Sequence, residues 1–437
     1  MSFFYPFLNF LQPGILWPEL ADYKPMLVAS LLALFAGLAG SSRTSPRPPV
    51  LSKSTTWWIA GFVFVQGLSM YRSGGMAMLD MLGFWYVYPV FVILSVWLIR
   101  DEASLRRYIW GMVLGSMFVV IYGIWAKYSG YNSVVHPGEL YSMQGRAGAY
   151  GMYRNQNDYS FIIVQILPFL YMLRRTEVSW SRRFVLLAAM AACVAGILLC
   201  LSRGGMLAVL LEMFLVVVFT MRRRTVAVLL PLLVVVAIGG ISYQWKMRAE
   251  DQGSSYTYAD SKDTRLELWH AARVMIQDNP ILGVGSRSFG EHARQYAEIS
   301  HDDLGKNAHN TYLDVAATSG LMGLVCFLAL IGSALNRVRG RPRQPGSPGD
   351  RLEAIRVATL IALIAIIFRA LMDAKENDWS FYVLAVIAMA VEHLYALRAR
   401  HVSVQAPGPQ AQAGHRSGGM PARRRPVAGL GVGRPGA

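Results

Sequence analysis

The sequence is short of charge, and the charge it has is lopsided. Asp, Glu, Lys and Arg make up 16% of its 437 residues, where an average soluble protein has about 25%. A chain so thinly charged cannot dress the surface of an ordinary soluble domain. Cysteine is nearly absent: Cys193, Cys200 and Cys326 have neither metal-ligand spacing nor the pattern of a disulfide scaffold, and read as small buried hydrophobes. Met1–Leu20 lacks the basic start and small-residue cleavage site of an export signal, so it is expected to stay with the chain. No Walker-type loop occurs, nor a Gly-rich fingerprint after a strand, which removes the nucleotide-binding classes. There is no D-x-D pair for a divalent metal, since Asp302 and Asp303 are adjacent and would point apart. No internal repeat is visible, which weakens an inverted-repeat transporter.

What the chain does have is apolar residues, 54% of the total, with a mean hydropathy of +0.35. They come in runs such as Phe184–Leu201 and Thr225–Tyr243. Roughly 17–25 apolar residues in a helix cross the hydrocarbon core, and a helix satisfies its own backbone there. The expected fold is therefore all-α and polytopic, with about twelve spans near 3–18, 25–40, 56–71, 77–98, 107–128, 159–173, 184–201, 206–221, 225–243, 320–335, 354–372 and 379–397. Pro13 and Pro18 break the first of these.

The net charge of +16 resembles a nucleic-acid signal until its placement is read. It gathers in alternate short connections: Arg43, Arg47 and Lys53, then Arg100, Arg106 and Arg107, then Arg174, Arg175, Arg182 and Arg183. Arg222–Arg224, the arginines of 337–356 and the tail from 398 continue the series. By the positive-inside rule these connections and both termini are expected to be cytoplasmic. The partner implied is the lipid bilayer, and no nucleic acid. Residues 1–397 are read as the membrane body. The Pro-, Gly-, Ala- and Arg-rich segment 398–437 is read as a disordered cytoplasmic tail of a composition suited to anionic lipid.

Two long connections, about 129–158 and 244–319, fall on the opposite face, and loops of that length in a compact fold are usually functional or disordered. The second holds a helix signal. Asp263 can cap Thr264–Gln277, Asn279-Pro280 stops it, and Leu268, Trp269, Ala272, Met275 and Ile276 form an apolar stripe at helical spacing.

Positive side chains on that face run against the topological bias. Arg203 stands in the tight turn Ser202-Arg203-Gly204-Gly205, whose glycines are expected to let a bulky group approach the backbone. Arg265 lies in the first turn of the loop helix, where a cation opposes the macrodipole. Arg146 lies in Gly145-Arg146-Ala147-Gly148, ahead of Asn155-Gln156-Asn157, and Arg72 follows the third span. His309 precedes Asn310-Thr311-Tyr312-Leu313, and histidine is the side chain suited to take a proton near neutral pH. Arginine's planar fork suits phosphate oxygens, so a lipid pyrophosphate at the outer leaflet is a natural ligand, with the histidine as base for an incoming hydroxyl.

These residues resemble the O-antigen ligase family, which includes O-antigen polymerases and bacterial protein O-oligosaccharyltransferases. The resemblance rests on Gly145-Arg146-Ala147-Gly148 with Asn155-Gln156-Asn157, on Ser202-Arg203-Gly204-Gly205, on Asn279-Pro280-Ile281-Leu282-Gly283-Val284-Gly285, and on His309-Asn310-Thr311-Tyr312-Leu313 with Gly320. Gln156 departs from it, standing where the family often has proline. The resemblance implies a C-type membrane glycosyltransferase with a large helical periplasmic loop, in the bacterial inner membrane. It would move a glycan from undecaprenyl pyrophosphate to an acceptor hydroxyl without cofactor or metal. Arg203 and Arg265 would bind the pyrophosphate, Arg146 and Arg72 would help hold the donor, and His309 would activate the acceptor. Lipid A–core, a second lipid-linked glycan and a protein hydroxyl all remain open as acceptor. Outside the family, the rival is a transporter for an anionic solute using Glu212, Asp80 and Arg369. A third reading is an assembly subunit without chemistry, which the arginine–histidine set argues against.

Overall fold

A computed structural model describes residues 1–39, 54–72, 78–129, 146–221, 258–298, 305–340, 350–375 and 378–405, with 74, 225, 229, 231, 235, 238–243 and 246–247. It describes no side chain in 78–86, 258–264 or 401–405. All regular structure among the described residues is helical. Two compact units are Met1–Tyr395 and Ala396–Ala437; the described part of the second continues a helix to Gln405, and the expected tail beyond it lies outside the described residues.

The helices are α1 (Phe4–Leu11), α2 (Pro13–Leu16), α3 (Pro25–Ala39), α4 (Ser54–Arg72), α5 (Met78–Leu98), α6 (Glu102–Ser129) and α7 (Gln156–Thr176). They continue with α8 (Trp180–Cys200), α9 (Arg203–Thr220), α10 (Tyr258–Asp278), α11 (Phe289–Tyr296), α12 (Thr311–Arg339), α13 (Arg351–Arg369) and α14 (Trp379–Gln405). Five of the described helices are long and apolar enough to cross a membrane alone: α6, α8, α9, α12 and α14 as far as Arg400. Twelve such helices are not found among the described residues, and about half of the expected span 225–243 lies outside them.

The first expected span is broken, for the reason its prolines suggest. α1 has eight residues, about 12 Å at 1.5 Å per residue, and Gln12 turns left-handed at φ 50° ahead of Pro13. α1 lies tight against α6 because that helix carries Gly111 and Gly115. A Cβ on Gly111 would sit 2.1 Å from the Phe3 carbonyl oxygen, and one on Gly115 2.7 Å from that of Phe7. Small residues four apart let helix backbones approach in this way.

α14 is central. Its residues from Phe381 to Val391 are all buried, and a helix apolar on every side belongs in a core. Tyr382 stacks on Tyr88 of α5 at 4.5 Å between centroids, and Phe381 meets Phe327 of α12 edge-on at 5.2 Å. Around it α7 packs on α8 and α13, and α4 on α12.

Successive spanning helices alternate in direction, so their ends sort into two sets. At one end Arg106 of α6 meets Glu177 after α7 at 2.8 Å. At that end too Arg337 of α12 donates to Thr55 of α4 at 2.7 Å and pairs with Glu392. The opposite end gathers the starts of α7, α9, α12 and α14 with the end of α13. Among the described residues, the arginines at 100–107, 174–183, 337–339 and 351–356 thus lie at the opposite end of the bundle from the candidate residues.

Candidate functional site

The expected loop helix is present as α10, longer at its start than the expected Thr264 and stopped at Asn279-Pro280. Its stripe buries Leu268, Ala272 and Met275 in a cluster with Phe289, Ala293, Ala308 and Ala317. Trp269, only part-buried, donates its indole N–H to the Ala308 carbonyl at 2.8 Å. The other side of that residue is held too, since the Ala308 N–H donates to Asp314 Oδ2 at 3.1 Å. His309 therefore follows a clamped residue. It is itself left-handed at φ 50°, a conformation that persists in a non-glycine residue only where surroundings over-determine it. Asn310 then caps α12, accepting from the N–H groups of Tyr312 and Leu313 at 3.0 and 3.2 Å.

The His309 ring lies against Asp373, with Nδ1 3.3 Å from Oδ1. Asp373 sits in the short connection between α13 and α14. Thr311 ties that connection to α12, donating to the Asp373 carbonyl at 2.6 Å and accepting from the Lys375 N–H at 3.0 Å. The other carboxylate oxygen of Asp373 is in ion-pair rather than hydrogen-bond range of Arg369 (3.5 Å) and Lys375 (3.8 Å). Lys375 also closes onto Asp158 in the first turn of α7. Burial alone would raise the Asp373 carboxyl, but Lys375, the His309 hydrogen bond and Arg369 together hold it well below the usual carboxylate range. Burial works against the Lys375 ammonium, and Asp373 and Asp158 more than offset it, so it is raised above an ordinary lysine.

Arg369 is fully buried. Its Nη2 lies 3.5 Å from the Asn157 carbonyl and from Ser160 Oγ, and its guanidinium sits 5.9 Å from the centre of the Phe161 ring. Its Nε and Nη1 have no hydrogen-bond partner among the described residues. The Ser202-Arg203-Gly204-Gly205 turn closes over it. Ser202 caps α9, accepting from the Gly205 N–H at 3.2 Å, and donates to Asn157 Oδ1 at 2.9 Å. A Cβ on Gly204 would be 3.2 Å from Arg369 Cζ, and one on Gly205 2.5 Å from Ser160 Cβ. The groups that approach these glycines are therefore the chain's own, contrary to the expectation of a bound group there. Helix packing needs the space first.

Arg203 is the first residue of α9, part-exposed beside this network. Arg146 is part-exposed in an extended segment whose Ala147 N–H donates to Leu199 near the end of α8, at 3.0 Å. Arg265 is part-exposed one turn before Trp269 on α10. Arg72 is exposed at the end of α4, one turn after Ser69, which donates to the Thr318 carbonyl at 2.6 Å. Hydrogen bonds thus link the segments carrying Arg203 and His309, while Arg146, Arg265 and Arg72 stand on elements anchored nearby. Gln156 is the first residue of α7, behind the cap Asn155. Proline is tolerated at that position because no helical N–H is needed there, so glutamine leaves the helix start intact.

Asp373, Lys375, Asp158 and Arg369 were not singled out as site residues in the sequence, Arg369 appearing only among the rival transporter's charges. The signal available was Asp373-Ala374-Lys375, charges packed into a short connection beside a span.

Fold and site together define a multi-pass, all-helical membrane protein with a cationic, histidine-bearing cluster at one end of its bundle. Residues 185–328 match the family model described as O-Antigen ligase. The match covers about a third of the chain, including Arg203, Arg265 and His309 and excluding Arg72, Arg146, Arg369 and Asp373. No curated protein matches the chain.

Proposed function

We propose that the chain transfers a glycan from undecaprenyl pyrophosphate to an acceptor hydroxyl at the periplasmic face of the bacterial inner membrane. The observation that carries this reading is His309, clamped through Ala308 by α10 and held by Asp373 at 3.3 Å, inside a segment of O-antigen ligase type. With Nδ1 engaged by the carboxylate, Nε2 is the atom left to take a proton, as in other carboxylate-oriented histidines. The acceptor hydroxyl gives its proton to Nε2 as its oxygen attacks the anomeric carbon. The bond from that carbon to the pyrophosphate breaks with inversion. Arg203 and Arg265 neutralise the charge that develops on the departing diphosphate, and preorganised cations at a partly dehydrated lip do this well. Arg146 and Arg72 help hold the donor. Asp373 is a positioning residue that also balances the imidazolium. No step passes through a metal or a cofactor.

The sorting of helix ends supports cytoplasmic termini and a periplasmic site; the division into a membrane body of 1–397 and a tail of 398–437 rests on composition, and α14 runs past that boundary to Gln405. A ligase acting on lipid A–core is the leading assignment. A polymerase extending a second lipid-linked glycan uses the same chemistry and differs only in acceptor.

Reconstitution with an undecaprenyl-pyrophosphate glycan and each acceptor class tests the reading. His309→Ala is expected to lower transfer by about 10²–10⁴-fold, and Arg203→Ala by about 10²–10³-fold. Full activity in both variants would sink the mechanism, and solute flux without any lipid-linked sugar would favour a transporter.

A further inference from the structure

The opposite end of the bundle carries a second cationic feature that transfer chemistry does not use. Between the starts of α6 and α8 lies an open cleft of about 470 Å³, in the size range of small-ligand sites, lined by Phe3, Arg106, Arg107, Trp110, Leu114 and Arg182. Three arginines line it and no carboxylate does. Arg106 is engaged by Glu177 at 2.8 Å, which fixes one wall. Arg182 reaches Glu177 only at 3.7 Å and its side chain is 67% exposed. Arg107 is exposed, touches Ser2 Oγ through Nε at 3.3 Å, and has Asp101 as its acidic neighbour.

Below the arginines the cleft runs into an apolar stripe. Leu114, Phe118, Ile121 and Trp125 of α6 are all exposed and succeed one another at steps of three or four, so they share one face of the helix. From Arg107 to Trp125 the stripe is about 27 Å long at 1.5 Å per residue, close to the thickness of a hydrocarbon core. Trp110 stands between charge and stripe, where an indole suits the interface.

We propose that this cleft binds an anionic phospholipid, its phosphate on Arg107 and Arg182 and one acyl chain along Leu114 to Trp125. Charge selects the headgroup: a zwitterionic lipid brings its own cation, which these arginines repel. The stripe selects a lipid over free phosphate, which has no use for an apolar face. The site rests on the membrane-spanning fold and is independent of the proposed transfer reaction.

The test is thermal unfolding of the full chain in neutral detergent. Phosphatidylglycerol, phosphatidylcholine of the same chains and inorganic phosphate are each added, with Arg107→Gln/Arg182→Gln as the variant. Phosphatidylglycerol well above its Kd is expected to raise the wild-type midpoint by at least about 3 °C. The double variant should lose more than half of that shift. An equal shift in the variant, or in wild type from phosphatidylcholine or inorganic phosphate, overturns the proposal. A phosphatidylglycerol with a photoreactive group in its acyl chain, photolysed on unmodified protein, should label residues 114–125. Labelling confined to other helices overturns it without relying on any variant.

Discussion

At Asp373, burial and charge pull in opposite directions, and the balance decides how the site responds to pH. Its carboxyl is held below the usual carboxylate range, so its share of stability is fully present above the unfolded value of about 3.9. That share is lost only as pH falls through the lower folded value. Lys375 is raised, so its share is present below about 10.4 and lost as pH climbs through the higher folded value. Asp158 is the exception, its carboxyl pushed up by burial to about 6, so only from about pH 7.5 to about pH 10 should the network contribute a constant amount. Asp373→Asn would leave Arg369 buried without its carboxylate, while Lys375 keeps Asp158; breaking a buried pair in this way costs about 3–5 kcal/mol. The unfolding midpoint in detergent should drop by the same amount at pH 8 and pH 9.5. A drop at one pH alone would place the anchoring charge elsewhere. Transfer should fall with it, because the His309 ring loses the group that orients it.

At the scale of elements, the motif from Asn279 to Gly285 acts as a bracket. α12 is interrupted at Gly320, φ 67°, which frees carbonyls in the preceding turn. The N–H groups of Val284 and Gly285 donate to Ala317 and Thr318 at 3.0 Å, and that of Leu321 donates to Pro280 at 2.8 Å. This contact leaves no room for side chains. A Cβ on Gly283 would lie 2.4 Å from the Thr318 carbonyl carbon, and one on Gly320 2.0 Å from the Ile281 carbonyl oxygen. Both glycines also sit at positive φ. Gly283→Ala and Gly320→Ala should each lower folded yield and unfolding temperature sharply, because backbone cannot give way as a side chain can. Gly332, further along α12 with nothing within 4 Å of its Cβ site, is the control. There alanine should be neutral or stabilise by about 0.5–1 kcal/mol. Equal losses at Gly283 and Gly332 would mean that helix propensity, not the bracket, governs these positions.

Across the described part of the molecule, the alternation of helix direction sends the described arginine-rich connections to one end and the histidine cluster to the other. If the first end is cytoplasmic, Val178, 81% exposed after α7, faces inward, and Ile281, 61% exposed after α10, faces outward. In intact spheroplasts a membrane-impermeant thiol reagent should then label Ile281→Cys and leave Val178→Cys unlabelled until the membrane is opened. The reverse pattern would invert the topology. Of the native cysteines Cys193 and Cys200 are buried, and Cys326, part-exposed on α12, sets the background that the unmodified chain measures.

Hydropathy and alternating charge were enough to read an all-helical membrane chain, because lipid imposes long apolar helices and a charge bias on any such sequence; motif order pointed to the family whose model matches residues 185–328. α10 was legible for the same kind of reason, its stripe and its Asn279-Pro280 stop being local signals. The span 320–335 was placed correctly from Gly320 onward, though nothing local revealed that helix continues on the near side of the kink. Folding alone decided which charges meet. Asp373 lies 64 residues from His309 and Arg369 lies 212 from Asn157, separations at which no periodicity in the sequence carries information. Only the return of α13 and α14 to the starts of α7 and α12 puts an acid behind the histidine and an arginine beneath the Ser202–Gly205 turn.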